Sequence, residues 1–577
     1  MALLAPVGLL SSTMGGGLAL AGSVQTRHDL LQGAQILVNQ VGYHPATPKQ
    51  AVLALAPGTA AGIRPGWTPT LQIVRADDGQ VVWEGTMAGP SEDRLVSGDT
   101  LYRADFTSLT APGRYVAQVV GGPRSPEFAI GPVYRDVLYA AARSYYLQRC
   151  GVAIDDPITG VSHALDHHED GYVLVDDPFY RAGTRLEATG GWHDAGDYGK
   201  YVTTTAVTAA QLLKAYELYP QAFADGQLHL PESGNGVPDI LDEVRWGLEW
   251  LFRMQRPDGA VYHKLAGLRW PGMIRPEQDV QRRYVYRITT QDTAKAAAAW
   301  AMAARIFAPF DAAFARKALA AAEQAWRFLA ASGPILDYPA EDNSGSGPYD
   351  DRDDADDRFW AAVELWVVTG RAEYHDYIAR MARTGLPAYA PVSWVNPAAL
   401  GYFDYVTLGQ KGDPAIRARL VQRILEGARS VFQTYEQSGY GVPILAGSFH
   451  WGSNKEALAK GMLLLFAHHL EPRPEYERAA LAQLDYVLGV NPLAKSYVTG
   501  LGSNPPRNPH HRLVKASGVM VPGLLVGGPN DHPQTKAIRP HMGPRGYADV
   551  TDSYETNEPA IDYNAPLVFV AAHFASL

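Results

Sequence analysis

The chain has 577 residues, of which 46% are hydrophobic and 19% charged, the composition of a packed globular protein longer than one ordinary domain. Its net charge of −10 comes without a basic stripe, so a phosphate-neutralising nucleic-acid partner is excluded from the expectations. Cys150 is the single cysteine, and no intrachain disulfide can form.

From Met1 to Thr26 no residue is charged, and LLAPVGLL followed by Ala19-Leu20-Ala21 has the apolar core and small-residue end of a secretory signal, without a leading Lys or Arg. Residues 1–34 are therefore read as a leader or signal-like segment, and a secreted, extracellular location is expected. Gly15 to Gly17 interrupt the stretch as a membrane span, no other segment is apolar enough to be one, and no membrane partner is expected.

Residues 35–132 read as short strands with turn punctuation: AVLALA from Ala51, TLQIVRADDGQVVWEGT from Thr70, YRADFTSL from Tyr102 and GRYVAQVV from Gly113. Asp77-Asp78-Gly79 and Pro112-Gly113 are the turn signals, and the pattern predicts a small immunoglobulin-like β-sandwich.

Over residues 133–577 the hydrophobic period changes from 2 to 3.6. About twelve helices are predicted, starting near Tyr134, Gly199, Pro238, Asp292, Asp311, Asp356, Ala372, Pro397, Pro414, Lys455, Glu475 and Asp562. Connections into the second, fourth, sixth and twelfth are long, whereas 4 to 5, 6 to 7 and 10 to 11 are short. If successive helices run up and down, the long loops gather on one face, where functional loops belong. A ring of six antiparallel pairs satisfies count and alternation. The fold class expected is mainly α: an (α/α)6 barrel preceded by the β-sandwich.

Unusual polar clusters fall in those loops. GGWHDAGDYGKYV begins at Gly190, DDRDDADDRFW at Asp350, HWGSN at His450 and YADVTDSYETNEPAIDYNAP at Tyr547. Glycosidic hydrolysis needs one carboxylic acid to protonate the leaving oxygen and one carboxylate to activate water or attack carbon. Asp194, Asp197 and Glu558 are the candidates, although an aspartate near a helix start is more often a cap. Trp451, in a long loop of the same face, is the candidate sugar platform, whereas Trp246 and Trp250 inside a helix are read as packing.

The first and last of these clusters, with SYVTGLGSNPPRNPHHR from Ser496, NGVPDILDEVRWGLEWLFRMQ from Asn235 and WGSN at Trp451, resemble the signatures of family 9 glycoside hydrolases, chiefly cellulases. ILVNQVGYHP from Ile36 is similar to the start of the immunoglobulin-like module of one branch. The resemblance implies that Glu558 is the general acid and Asp197 the general base, that Asp194 helps to hold the nucleophilic water, and that the anomeric centre is inverted. It implies hydrogen bonds from His510 and Arg512 to sugar hydroxyls, and support of the acid and sugar contact from Asp549 and Tyr554.

Metals follow from the same resemblance. DDRDDADD packs six carboxylates into eight residues and resembles a calcium loop, with Asp353, Asp356 and Asp357 as ligands. The branch carries a structural zinc held by two cysteines and two histidines. Cys150, His167 and His193 look like three of these, and Asp166 stands where the second cysteine belongs, so a vacant or weak zinc site is expected. No organic cofactor is expected. The function implied is an endo-β-1,4-glucanase, a monomer acting on cellulose and related β-glucans. The alternatives are an exo-acting enzyme on cello- or glucosamine oligosaccharides and a non-catalytic glycan-binding protein.

Overall fold

The computed structural model describes residues 31, 33–59, 66–336, 345–409 and 411–577. All of the leader segment except residues 31, 33 and 34 lies outside the described residues.

Nine strands open the chain: β1 (Gln35–Leu37), β2 (Gly42–Tyr43), β3 (Gln50–Leu55), β4 (Thr70–Arg75), β5 (Val81–Thr86), β6 (Ala88–Glu92), β7 (Thr100–Asp105), β8 (Gly113–Val119) and β9 (Arg124–Ile130). They form two facing sheets in the orders β1-β3-β7-β6 and β2-β9-β8-β4-β5. Alternation decides which side chains face inward: Leu71 and Ile73 of β4, and Tyr115, Ala117 and Val119 of β8, are buried between the sheets. Tyr43 packs edge-on against Phe106 and Phe128 at 5.4 and 5.5 Å in the middle of this core. The β4–β5 hairpin turns at Gly79, whose φ of 73° suits glycine. Strands β6 and β9 had no separate sequence signal. β6 is exposed along its whole length and carries Pro90, which leaves no alternation to read.

The helices are α1 (Val133–Arg143), α2 (Val202–Leu218), α3 (Asp239–Arg253), α4 (Thr290–Phe307), α5 (Ala312–Ala331), α6 (Ala355–Thr369), α7 (Ala372–Thr384), α8 (Ala398–Thr407), α9 (Pro414–Gln437), α10 (Ser453–Leu470), α11 (Pro474–Val487), the short α12 (Arg512–Ser517) and α13 (Tyr554–Asn557), and α14 (Ile561–Ala575). An inner ring is closed by α14 on α2, α2 on α4, α4 on α6, α6 on α8 and α10 on α14, with Phe403 of α8 stacked on Phe466 of α10 at 4.2 Å. The outer helices α1, α3, α5, α7, α9 and α11 pack around this ring, α9 against both α8 and α10. Sequence explains the division. In α4 every residue except Arg305 is buried, which suits a helix enclosed on all sides, whereas α9 buries only the stripe Ile416, Leu420, Ile424, Ala428 and Val431. Charges inside the ring are paired: Lys214 meets Asp404 and Glu217, and Arg305 meets Glu217 and Glu364.

The long connections lead into α2, α4, α6, α10 and α14, and those into α2, α6, α10 and α14 carry the polar clusters. They are stiffened by short strands: β10 (Ile154–Asp155) pairs β11 (Ser162–His163), β12 (Tyr172–Val173) and β13 (Lys200–Tyr201) flank a four-stranded sheet whose centre is β15 (Lys264–Gly267) and β16 (Arg283–Val285), and β14 (Val261–Tyr262) pairs β17 (Ile288–Thr289). The sandwich reaches the same loops. Asp99 takes a bidentate ion pair from Arg545 at 2.6 and 2.7 Å, and Gln40 Oε1 accepts the Ser503 and Asn504 N–H groups at 3.1 and 2.9 Å. Among the described residues no helix is long and apolar enough to cross a membrane.

Candidate active site

The loop Asp194 to Gly199 is pinned at its base, where the Asp194 N–H donates to the Gly199 carbonyl at 2.9 Å, and the Asp194 carbonyl accepts the Ile561 N–H at 2.8 Å. The chain carrying Asp197 is thereby fastened to the start of α14, three residues beyond Glu558. Gly196 closes the junction. A Cβ there would lie 1.8 Å from the His510 carbonyl oxygen, so only glycine permits the approach. Its N–H donates to Glu558 Oε1 at 3.2 Å, and its carbonyl accepts the Arg512 N–H at 2.9 Å. One glycine therefore joins the segments of Asp197, His510, Arg512 and Glu558.

The carboxylates differ in their surroundings. Burial, reinforced by the negative charge of Asp197, outweighs the Arg512 guanidinium and the Gly196 N–H, and the Glu558 carboxyl is pushed up to about 8. Asp194 is fully buried and accepts the Thr204 hydroxyl at 2.5 Å on one oxygen and the Tyr349 hydroxyl at 2.6 Å on the other. Burial and the neighbouring Asp562 raise its pKa despite those bonds. Tyr349 holds this position from the left-handed region, φ 49°, wedged against Tyr201 at 4.4 Å and Trp394 at 5.1 Å.

His510 donates from Nδ1 to the Thr551 carbonyl at 2.6 Å, and burial lowers its pKa, so the neutral ring presents Nε2 as an acceptor rather than the donor expected. Arg512 is anchored through Nε to the Pro271 carbonyl at 2.9 Å with Trp270 beside it at 5.8 Å, and its Nη1 is buried without a partner among the described residues. Trp451, 38% exposed, faces Tyr554 at 5.6 Å, which in turn meets His510 at 5.8 Å. These form one continuous aromatic edge.

Asp549 is corrected. Its carboxylate is consumed by Lys495 Nζ at 2.7 Å and by the Arg507 and Asn508 N–H groups at 2.9 and 2.8 Å, so it braces the loop leading to His510 and does not offer itself to a sugar. Asn557 also reaches it, at 3.3 Å, so its expected support of Glu558 runs through the backbone.

The expected calcium loop is corrected as well. Asp353 is exposed and caps the Ala355 N–H at 3.0 Å, whereas Asp357 is buried against Lys295 Nζ at 3.0 Å, with Asp351 on the same ammonium at 2.8 Å. Asp356 Oδ2 and Asp357 Oδ1 accept no hydrogen bond from the described residues, and burial pushes Asp356 up to about 7. The three ligand atoms do not gather at one point. Lys295 supplies the positive charge that faces Asp351 and Asp357.

Cys150, Asp166, His167 and His193 do gather. They are the one group of three or more Cys, His, Asp or Glu side chains among the described residues whose donor atoms lie within 4.8 Å of one another. Asp166 Oδ2 is 3.1 Å from His193 Nε2 and 3.2 Å from His167 Nδ1, and Cys150 Sγ is 3.7 Å from His167 Nδ1. Tetrahedral zinc bonds of about 2.0–2.3 Å require donor separations of roughly 3.3–3.8 Å, so the four fit such an ion. Burial and Asp166 push the Cys150 thiol up, but Lys200, His193 and His167 outweigh them and draw it down to about 5. Burial and Arg283 press on His167, but Asp166 and Asp279 carry it up to about 10.

Thr204, Tyr349, Trp394, Trp270 and Gly196 were not singled out from the sequence. The reasoning that selected Trp451, an aromatic side chain in a long loop, applies equally to Trp270 and Trp394; Thr204 and Gly196 carried no signal of their own.

The model of "Glycosyl hydrolase family 9" matches residues 134–571, and that of "Cellulase N-terminal ig-like domain" matches residues 31–123. Endoglucanase D of Acetivibrio thermocellus is 34% identical over 94% of this chain and 84% of its own length. A xyloglucan-specific endo-β-1,4-glucanase of Bacteroides ovatus is 33% identical over 97% of each chain. Among solved structures, the family 9 endoglucanase J30 superposes with a TM-score of 0.86 at 40% identity over 92% of this chain and 99% of that one, and its Zn-binding triple mutant superposes at 0.87. With both domains matched in order and the barrel face carrying Asp194, Asp197 and Glu558 together, the chain belongs to glycosyl hydrolase family 9 and is a glycoside hydrolase.

Proposed function

We propose that the protein is an inverting endo-β-1,4-glucanase acting on cellulose and mixed-linkage β-glucans. The observation that carries this reading is the junction at Gly196, which holds a carboxyl raised to about 8, Glu558, beside the loop of a second carboxylate, Asp197. The Glu558 proton passes to the glycosidic oxygen as the C–O bond breaks. On the opposite face of the ring a water attacks the anomeric carbon and yields its proton to Asp197. Asp194, held by Thr204 and Tyr349, keeps one lone pair on each oxygen to orient that water. Neutral His510 accepts from a sugar hydroxyl through Nε2, the unpartnered Arg512 Nη1 donates to another, and Trp451 and Tyr554 offer aromatic faces to the C–H faces of glucose.

Proton NMR of cellopentaose hydrolysis tests the reading. The α-anomer must appear first, and carboxymethyl cellulose must lose viscosity faster than it gains reducing ends. First appearance of the β-anomer removes the inverting mechanism, and release of a single short product from the start removes endo action. Unchanged turnover in Asp197→Ala removes the assignment of the base.

Two further parts belong to the proposal. The four-donor cluster holds zinc weakly, because a hard Asp166 oxygen replaces a soft thiolate; the ion would act structurally, fixing the segments of Cys150 and His193. The charge-free stretch from Met1 to Thr26 supports export, and a monomer is expected on size-exclusion chromatography.

A further inference from the structure

The loop 268–282 forms one wall beside Arg512 and has little apolar anchorage: Trp270 is 52% exposed and Val280 89%. Polar ties hold it instead. Gln281 spans its base, donating to the Arg269 carbonyl at 2.9 Å and accepting the Arg269 N–H at 3.3 Å, and Tyr198 donates to the Ile274 carbonyl at 2.6 Å. Asp279 sits between this crossbar and the four-donor cluster. Its Oδ1 accepts Gln281 Nε2 at 2.9 Å, and its Oδ2 faces His167 Nε2 at 3.5 Å. That nitrogen is buried and has no hydrogen-bond partner among the described residues, and His167 is itself in the left-handed region, φ 38°. A strained, buried histidine is thus aimed at a carboxylate that the cleft loop sends inward. At the other end of the same loop the Pro271 carbonyl fixes Arg512, and Trp270 flanks it.

We infer that Asp279 is a positioning residue: it latches the cleft loop to His167 of the buried cluster and so sets where Trp270 and Arg512 meet the sugar. The latch is mechanical. It acts on how well substrate is bound and leaves the reacting carboxyls, fastened separately through Gly196 and Ile561, where they are. The sugar half of the inference rests on the glucanase reading above, and the loop half does not.

The experiment uses the full chain. Asp279→Asn keeps the volume and removes the charge; Asp279→Ala removes the side chain from both Gln281 and His167. In both, KM for cellopentaose should rise about three- to tenfold, the size of a coupling carried by a residue that touches no ligand, with kcat within about twofold. Hydrogen exchange of the peptide covering 268–282 should quicken about tenfold in each variant while α4 and α10 stay protected. A purely structural role would lower the melting temperature and leave KM unmoved, and that result overturns the inference; so does unchanged exchange in 268–282. Absence of cellopentaose turnover in the unaltered protein would count against the glucanase reading alone, and the exchange measurement would still decide the latch.

Discussion

Replacing Glu558 with glutamine should stabilise the protein while silencing it, by an amount that depends on pH. The folded carboxyl is held at about 8 against 4.5 for an unperturbed glutamate. Because the folded value is the higher one, the stability contributed by the neutral carboxyl is full below about pH 4.5 and is lost as pH rises from there through about 8. At about 1.4 kcal/mol per pKa unit, the loss is about 3 kcal/mol at pH 7 and under about 1 kcal/mol at pH 5. Glu558 keeps some contact with solvent, which reduces the difference between the two conditions to about 2 kcal/mol. Glutamine is neutral throughout, so its advantage over the native residue should be about 2 kcal/mol larger at pH 7 than at pH 5. For a catalytic domain of roughly 440 residues, whose unfolding entropy is about 0.9 kcal/mol/K, that corresponds to about 2 °C in melting temperature. Scanning calorimetry of both proteins at both pH values measures it. Turnover of cellopentaose should fall about 100- to 10,000-fold. A stability gap equal at the two pH values, or larger at pH 5, would show that Glu558 is not held protonated by its burial.

Three more outcomes are expected. The same raised carboxyl predicts that kcat/KM falls as pH rises from 7 through about 8, because the acid loses its proton there; a profile flat from pH 7 to 9 contradicts the assignment. Lys295→Met leaves Asp351 and Asp357 buried without their counter-charge and should cost about 3–5 kcal/mol, read as a lowered melting temperature. Added calcium should not restore it, and recovery with calcium would reinstate the acidic run as a cation loop. Asp166→Cys should tighten zinc binding in competition with a chromophoric chelator, whereas a stoichiometric zinc in the unaltered protein would refute a weak site.

Much of the fold was legible in the chain because hydrophobic period is a local property. The twelve predicted helix starts each fall within three residues of an observed start, and the uneven connections placed the polar clusters on one end of the barrel. Which helices are inner and which outer is seen in the structure, where burial runs all round α4 and along a stripe in α9. Strand β6 was invisible because an exposed edge carrying proline has no alternation.

Residue types and their place in the long loops nominated Asp194, Asp197 and Glu558, and only the resemblance to family 9 gave each a separate role. They could not determine what each carboxyl is next to, and ionisation depends on neighbours from remote parts of the chain. Asp549 looked available in sequence and is spent on Lys495 and two backbone N–H groups; Asp357 looked like a cation ligand and lies against Lys295, 62 positions away in sequence. Only tertiary packing brings Gly196 against His510 and Glu558. A glycine reads as a turn in sequence, and what makes it indispensable is that another segment's carbonyl occupies the space a side chain would need.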